Sequence, residues 1–261
     1  TPFLEDSTSE ASPKGDKDSD KGVLQPIACR VLMKILYGAR LARFDLLRAV
    51  GALASNVATW DRSCDRKLHR LVAYINSTKG YRMTGYCSES ATFDSLSLEL
   101  FADADFAGCP RTVRSTSGTF LALKGEGVFI PLSASSKRQS CVSHSTTEAE
   151  VVAANTAVRA VGIPAKHFWE YILNRPVEMV LREDNQATIC VIKNGYSPAL
   201  RHMPRTHRVS VAWLSELIQE EEVDVQYCDT NEQAADIFTK PFTGIPKWRN
   251  ALQLIGIGPS L

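Results

Sequence analysis

No run of about 18 consecutive apolar residues occurs anywhere in the 261 residues, so no membrane-spanning helix is expected. The opening stretch, TPFLEDSTSEASPKGDKDSDKG, has neither the basic start nor the apolar core of a secretory signal. It also begins with Thr rather than Met, which reads as a piece of a longer protein. There is no CxxC pair. The seven cysteines, at positions 29, 64, 87, 109, 141, 190 and 228, are scattered and odd in number. That pattern argues against a disulfide framework and against a zinc site, and reads as buried free thiols in a reducing compartment. These absences point to an intracellular protein, cytoplasmic or nuclear, with no membrane partner.

What is present is ordinary in bulk and uneven in detail. Hydrophobic residues make up 44% and charged residues 23%, as in soluble globular domains. The net charge of +1 hides a division. Residues 1–26 carry three Lys and six acids, residues 27–86 eleven Lys or Arg and three acids, and residues 87–261 sixteen Lys or Arg and twenty acids. A basic block beside an acidic one suggests two units, one of them suited to a polyanion; a solvated helical surface is the alternative.

Residues 1–25, rich in Ser, Asp, Lys and Gly, read as a disordered linker. Residues 26–58 show apolar spacings of three and four: Ile27, Val31, Ile35 and Leu36, then Leu46, Leu47, Val50 and Leu53. This predicts two helices broken near Gly38. A further helix over 64–77 turns Leu68, Leu71, Val72 and Ile75 inward. From residue 95 the period changes to two. Leu96, Leu98, Leu100, Ala102 and Ala104 lie on one face of a strand, and Ser97, Glu99, Phe101, Asp103 and Asp105 on the other. Strands over 118–123 and 127–133 follow. A helix then opens with a capping box at Ser145 and Glu148 and is interrupted at Gly162 and Pro164. Next come a strand over 177–184, a short helix from Asn185, a helix over 205–222 and a strand over 223–228. A helix over 230–240 ended by Pro241, and a last one after Pro246, close the chain. The order β-β-β-α-β-α-β-α describes a mixed sheet with helices packed on it. Trp169 and Trp213 fall on apolar helical faces and are expected in the core.

Four acids stand at strand ends and helix starts: Asp103, Glu150, Asp184 and Asp236. Clustered carboxylates repel one another unless something positive lies between them, and Mg²⁺ is a hard, oxygen-seeking cation suited to that place. Two such ions would clamp the attacking and leaving oxygens of a phosphoryl displacement. The alternative is coincidence, since the chain has 29 acids. Asp105, on the same face as Asp103, reads as a supporting residue.

Five motifs run in order between residues 101 and 241: ADADFAG followed by RSTSGTF, SSKRQS, HSTTEAE, EDNQA and YCDTNEQAADIFTKP. Together they resemble the C-terminal part of the Pol polyprotein of copia-type retrotransposons. The resemblance extends upstream through ACRVLMKILYGARLARFDLLRAVGALAS and CDRKLHRLVAYINSTKGYRM, which look like the helices that follow the polymerase core; the polymerase's own Tyr-x-Asp-Asp turn does not occur. The resemblance implies an α/β, ribonuclease H-like mixed five-stranded sheet flanked by helices and preceded by a small helical connector. In that division the connector spans 26–86, the nuclease domain 94–241 and a helical tail 242–261.

Carried over residue by residue, the implied catalytic and metal-binding acids are Asp103, Glu150, Asp184 and Asp236. Asp103 would bridge two Mg²⁺ ions (Mn²⁺ being an alternative), and Asp236 would hold its ion loosely. The implied activity is endonucleolytic cleavage of the RNA strand of an RNA–DNA hybrid, with the reverse-transcriptase portion of the same polyprotein as a partner. Arg114, Lys137, Arg138 and Arg205 are candidate phosphate contacts, with Arg111, Arg201, His207 and Arg208 nearby. His144 reads as a loop residue, and Ser145 and Thr147 as helix caps. The chain departs from the family pattern at Phe106, where Trp is usual, and at PRTHRVSV, where T-K-H-I-D is usual. It also lacks a His in the loop before Asp236, a position many cellular ribonucleases H fill. Two rival readings remain: a silent nucleic-acid-binding remnant of the same fold, and a DNA-cutting integrase or transposase.

Overall fold

The computed structural model describes residues 1–4, 21–109 and 111–259. The linker expected over 1–25 lies largely outside the described residues.

Helix α1 (Gln25–Leu41) has Pro26 in its first turn, where the missing N–H costs nothing, and runs straight through Gly38. The break expected at Gly38 falls instead at Ala42–Arg43, before a tight turn over Phe44–Leu46 and helix α2 (Leu47–Ala54). Gly38 is on the exposed side and costs about 1 kcal/mol of helix propensity, which burial of Ala28, Leu32 and Ala39 offsets. Ile27 is correspondingly exposed. Helix α3 (Arg62–Ser77) is capped by Asp61, whose carboxylate accepts from the Cys64 amide. It buries Leu68 and Leu71 but leaves Val72 exposed.

Strand β1 (Tyr81–Met83) pairs antiparallel with the last strand of the chain, and β2 (Tyr86–Cys87) forms one edge of the main sheet. Strands β3 (Ser97–Asp105), β4 (Thr116–Gly125) and β5 (Val128–Arg138) form an antiparallel meander. β4 and β5 are longer than their apolar cores suggest, because the backbone ladder continues through their polar ends, from Thr116 opposite Arg138 to Gly125 opposite Val128. Thr119 and Ser135 hydroxyls lie 2.7 Å apart, and Ser136 donates to the Phe238 carbonyl at 2.6 Å. A bulge opposite Leu121 and Ala122 adjoins Pro131, which has no amide to give the ladder.

Helix α4 (Thr146–Ala157) passes through a wide π turn (Val158–Gly162) into α5 (Ile163–Leu173) rather than stopping. Pro164 sits in the first turn of α5, where it is tolerated. Strand β6 (Glu178–Glu183) leads to α6 (Gln186–Asn194). The helix expected over 205–222 is two: α7 (Met203–Thr206) and α8 (Val211–Glu220), separated where Arg208 takes φ +58° and Ser210 caps the second. Trp213 on α8 is exposed, contrary to its expected core position, while Trp169 packs partly buried on the core. After β7 (Val223–Tyr227) the helix expected over 230–240 is absent. Two single turns, Thr230–Glu232 and Asp236–Phe238, stand in its place. Gln233 explains this: its buried amide donates to the Ala102 carbonyl at 3.1 Å and accepts from the Ala235 amide at 3.2 Å, which pins the segment to β3. Helix α9 (Ile245–Leu254) and β8 (Ile257–Pro259) complete the chain.

The main sheet has the order β2-β5-β4-β3-β6-β7, with β3, β6 and β7 parallel. It is the expected mixed sheet of five strands, extended by the two-residue β2. Leu98, Leu100, Leu121 and Leu181 face one layer of helices, among them α4, α6 and α8. The other face, through Phe101 and Phe120, packs on α1–α3 and α9. No described helix is long and apolar enough to cross a membrane. Of the cysteines, Cys64 and Cys228 are buried, but Cys29, Cys87 and Cys190 are exposed, so the expectation of buried thiols holds for only part of the set.

Candidate active site

The carboxyl ends of the parallel strands β3 and β6 bring acids together. Asp103, Asp184 and Asp236 each offer a carboxylate oxygen within 4.8 Å of the others, and Glu150, Glu183 and Asp184 do the same. All four acids singled out in the sequence therefore stand in one cluster. A fifth, Glu183, was missed. The acid shared by both groups is Asp184; the family resemblance implies Asp103 in the bridging role. Asp236 reaches the cluster from a single tight turn, not from a helix.

Asp103, Glu150, Glu183 and Asp236 are buried, while Asp184 is half-buried. Oε2 of Glu150 and Oε2 of Glu183 have no hydrogen-bond partner. Burial, reinforced by the neighbouring acids, pushes Glu150 up to about 10 and Asp236 to about 7, and raises Asp103 and Glu183 as well. Lys240 leans in, its Nζ 2.6 Å from Asp236 Oδ1 and 3.3 Å from Asp103 Oδ1. Burial works against its charge, but Asp103 and Asp236 outweigh that and raise its pKa. The Thr239 hydroxyl donates to the second oxygen of Asp103. One ammonium cannot pair five acids, and without a further cation the raised pKa values keep part of the cluster protonated. Orphaned, buried carboxylate oxygens in two overlapping triplets are a donor set that fits hard divalent cations. The cluster opens into a shallow cleft of about 580 Å³, lined among others by Asp103, Glu150, Asp184, Asn185 and Lys240.

The SGT motif serves this geometry. Gly118 pairs across the ladder with Asp103. A Cβ at Gly118 would come within 2.7 Å of Thr239 Cγ2 and 2.8 Å of the Ala235 carbonyl. Glycine here lets the segment carrying Asp236 lie against β4. Gly118→Ala is therefore expected to cost about 1–3 kcal/mol through overpacking and to weaken Mg²⁺ binding. Urea unfolding and calorimetric titration would measure the two effects.

Glu148, two residues before Glu150, forms a second buried centre. Ser145 caps α4 as expected, accepting from the Glu148 amide at 3.1 Å. The Glu148 carboxylate does not return to Ser145. It accepts from the His144 amide at 3.0 Å, lies 2.8 Å from His207 Nε2 and 3.1 Å from His202 Nε2. Burial alone would raise this carboxyl; the His144 amide and the two imidazoles outweigh it and hold it below its ordinary value. The latch ties α7 and its flanking turns, which carry Arg201, Arg205 and Arg208, to the foot of α4. His207→Ala would remove one of three partners of a buried carboxylate and is expected to cost about 1–3 kcal/mol, read as a lower urea midpoint. No spacing rule points from residue 148 to residue 207.

Among the expected phosphate contacts, Arg114, Lys137 and Arg205 are exposed and Arg138 half-buried. Lys137 and Arg138 pair with Ser117 and Thr116, so they stand at the same sheet end as Asp103 and Asp105. Arg111 turns away from that role: its guanidinium donates to Thr59 Oγ1 at 2.5 Å and to Asn56.

A meander of three antiparallel strands extended by two parallel ones, with acids at the strand ends, is the mixed sheet that the ribonuclease H-like resemblance implies. No family model matches the chain. The chain is similar to the retrovirus-related Pol polyprotein from transposon TNT 1-94 of Nicotiana tabacum, 28% identical over 207 residues, which is 79% of this chain and 14% of that protein. It is similar also to the transposon Ty1-NL2 Gag-Pol polyprotein of Saccharomyces cerevisiae, 24% identical over 199 residues, 76% of this chain and 11% of that one. Among solved structures, LC11-RNase H1 in complex with RNA/DNA hybrid is 13% identical, with a TM-score of 0.40, over 55% of this chain and 94% of that one. The chain's relatives are thus copia-type retrotransposon Pol polyproteins, as its motifs indicate, and it spans a small part of their length.

Proposed function

We propose that the chain is a divalent-metal-dependent ribonuclease H that cuts the RNA strand of an RNA–DNA hybrid during reverse transcription. The observation that carries this reading is the pair of carboxylate triplets sharing Asp184, with two buried oxygens lacking any donor. Asp103, Asp184 and Asp236 would hold one Mg²⁺, and Glu150, Glu183 and Asp184 the other. Bound there, such ions supply an activated water and charge stabilisation at the leaving 3′-oxygen.

The chain's own residues do the rest. Thr239 and Lys240 orient Asp103 and Asp236. Gln233 fixes their segment to β3. The shallow opening admits a duplex backbone. Lys137 and Arg138 at one edge, with Arg114 on a loop and Arg205 on the short helix α7, would meet phosphates without reading sequence. Selection of RNA would come from the 2′-hydroxyl, the feature a protein uses to tell it from DNA. The polymerase portion of the parent polyprotein is the proposed partner in holding the hybrid, and the basic connector over 26–86 the segment between the two.

The test is a map of product ends. RNA fragments with 5′-phosphate and 3′-hydroxyl termini, from hybrid alone, are the expected result. Nicking of the DNA strand or of duplex DNA would move the chain to the integrase or transposase class.

A further inference from the structure

We infer that Arg48, in helix α2 of the connector, is a positioning residue of the acid cluster, so that the segment ahead of the sheet forms part of the working site. This inference rests on reading the cluster as a Mg²⁺ site.

The geometry begins with Asp105. It shares a strand face with Asp103 and stands at the rim of the same cleft, yet it belongs to neither carboxylate triplet. The reason is Arg48. Its Nη2 lies 2.9 Å from Asp105 Oδ2, with both side chains nearly out of solvent at 7% and 11% exposure. The other Asp105 oxygen accepts from the Thr116 amide. The same guanidinium donates through Nε to the Thr239 carbonyl at 2.9 Å. Thr239 in turn donates its hydroxyl to Asp103, and Lys240 follows it in the chain. One planar group therefore joins the end of β3, which carries Asp103, to the segment that carries Asp236. The Phe3 ring lies over it, 4.3 Å from the guanidinium carbon.

Two consequences follow. Arg48 neutralises an aspartate that would otherwise add one more like charge beside Asp103, and it draws that carboxylate away from the metal-facing set. It also holds the Thr239 carbonyl, and through it the spacing of Asp103 and Asp236. A lysine keeps the charge but not the fixed fork that reaches both acceptors at once.

The experiment is calorimetric Mg²⁺ titration of EDTA-stripped, full-length wild type, Arg48→Met, Arg48→Lys and the double variant Arg48→Met/Asp105→Asn, each checked for folding by circular dichroism. The double variant removes both buried charges and separates charge compensation from positioning. It is expected to unfold near the wild-type midpoint yet to bind Mg²⁺ at least tenfold more weakly. With hybrid as substrate at subsaturating Mg²⁺, its kcat should fall while its KM stays put. Arg48→Lys is expected to recover part of the affinity lost in Arg48→Met. Wild-type Mg²⁺ affinity in the double variant overturns the inference, as does wild-type Mg²⁺ affinity in a folded Arg48→Met. A wild type that binds no Mg²⁺ overturns the metal reading together with this inference, whereas the first two results overturn this inference alone.

Discussion

Replacing Asp184 by asparagine is expected to lower cleavage of a hybrid's RNA strand by at least about a thousandfold, since metal-borne charge stabilisation is worth several kcal/mol and each 1.4 kcal/mol or so is tenfold in rate. Asp184 is the acid common to both triplets, so its loss weakens two sites at once. Asp103→Asn is expected to fall as far, because Asp103 is buried in the centre of the cluster and bound by Thr239 and Lys240. Both substitutions keep side-chain shape, so the far-ultraviolet spectrum should not move. Activity within tenfold of wild type in Asp184→Asn, measured at saturating Mg²⁺, would remove that residue from the site.

The second large effect runs in the opposite direction. Glu150→Gln is expected to stabilise the metal-free protein while destroying its response to metal. The sign follows from proton counting. The folded-state pKa of Glu150 is raised from 4.5 to about 10 by burial and by Asp103, Glu183 and Asp184. The folded chain therefore holds a proton that the unfolded chain has lost above pH 4.5. Stability of the metal-free form is full below that pH and falls as pH climbs toward the folded value. At about 1.4 kcal/mol per pH unit, the loss by pH 7 is at most about 3.5 kcal/mol. Glutamine mimics the protonated acid and removes the penalty, so the melting midpoint in EDTA should rise by roughly 5–10 °C. In the wild type, Mg²⁺ and protons compete for the same oxygens, so the Mg²⁺-induced rise in midpoint should grow from pH 5.5 to pH 8. Scanning calorimetry with and without EDTA measures both. A lower EDTA midpoint in Glu150→Gln would show that the carboxylate is not under strain.

Much of this site was legible because period-two alternation and short motifs act locally. Alternation alone put Asp103 and Asp105 on one face of β3, and the Asp-Asn-Gln and Ala-Asp words marked Asp184 and Asp236. What alternation could not say is why two like charges share that face. The answer is tertiary: one joins a triplet, and the other is paired by an arginine 57 residues earlier in the chain. Glu183 escaped for a related reason. It is the last residue of β6, beside Asp184, and only the approach of Glu150 from α4 makes it part of a triplet. The turns over 230–240 were misread as a helix because the pattern QAADIF suits one. The buried Gln233 side chain, bonded to β3, outcompetes the helical ladder there. Trp213 was misplaced because apolar spacing on a short helix does not tell which side meets the core.

The most direct test of the central claim is the cleavage of a labelled RNA–DNA hybrid in Mg²⁺ and in EDTA, with duplex RNA and duplex DNA beside it. The account predicts cutting of the hybrid's RNA strand alone, abolished by EDTA and restored by added Mg²⁺. A folded protein that binds the hybrid but never cuts it, at any Mg²⁺ concentration and with the polymerase portion added, would contradict it and leave a silent nucleic-acid-binding remnant of the same fold.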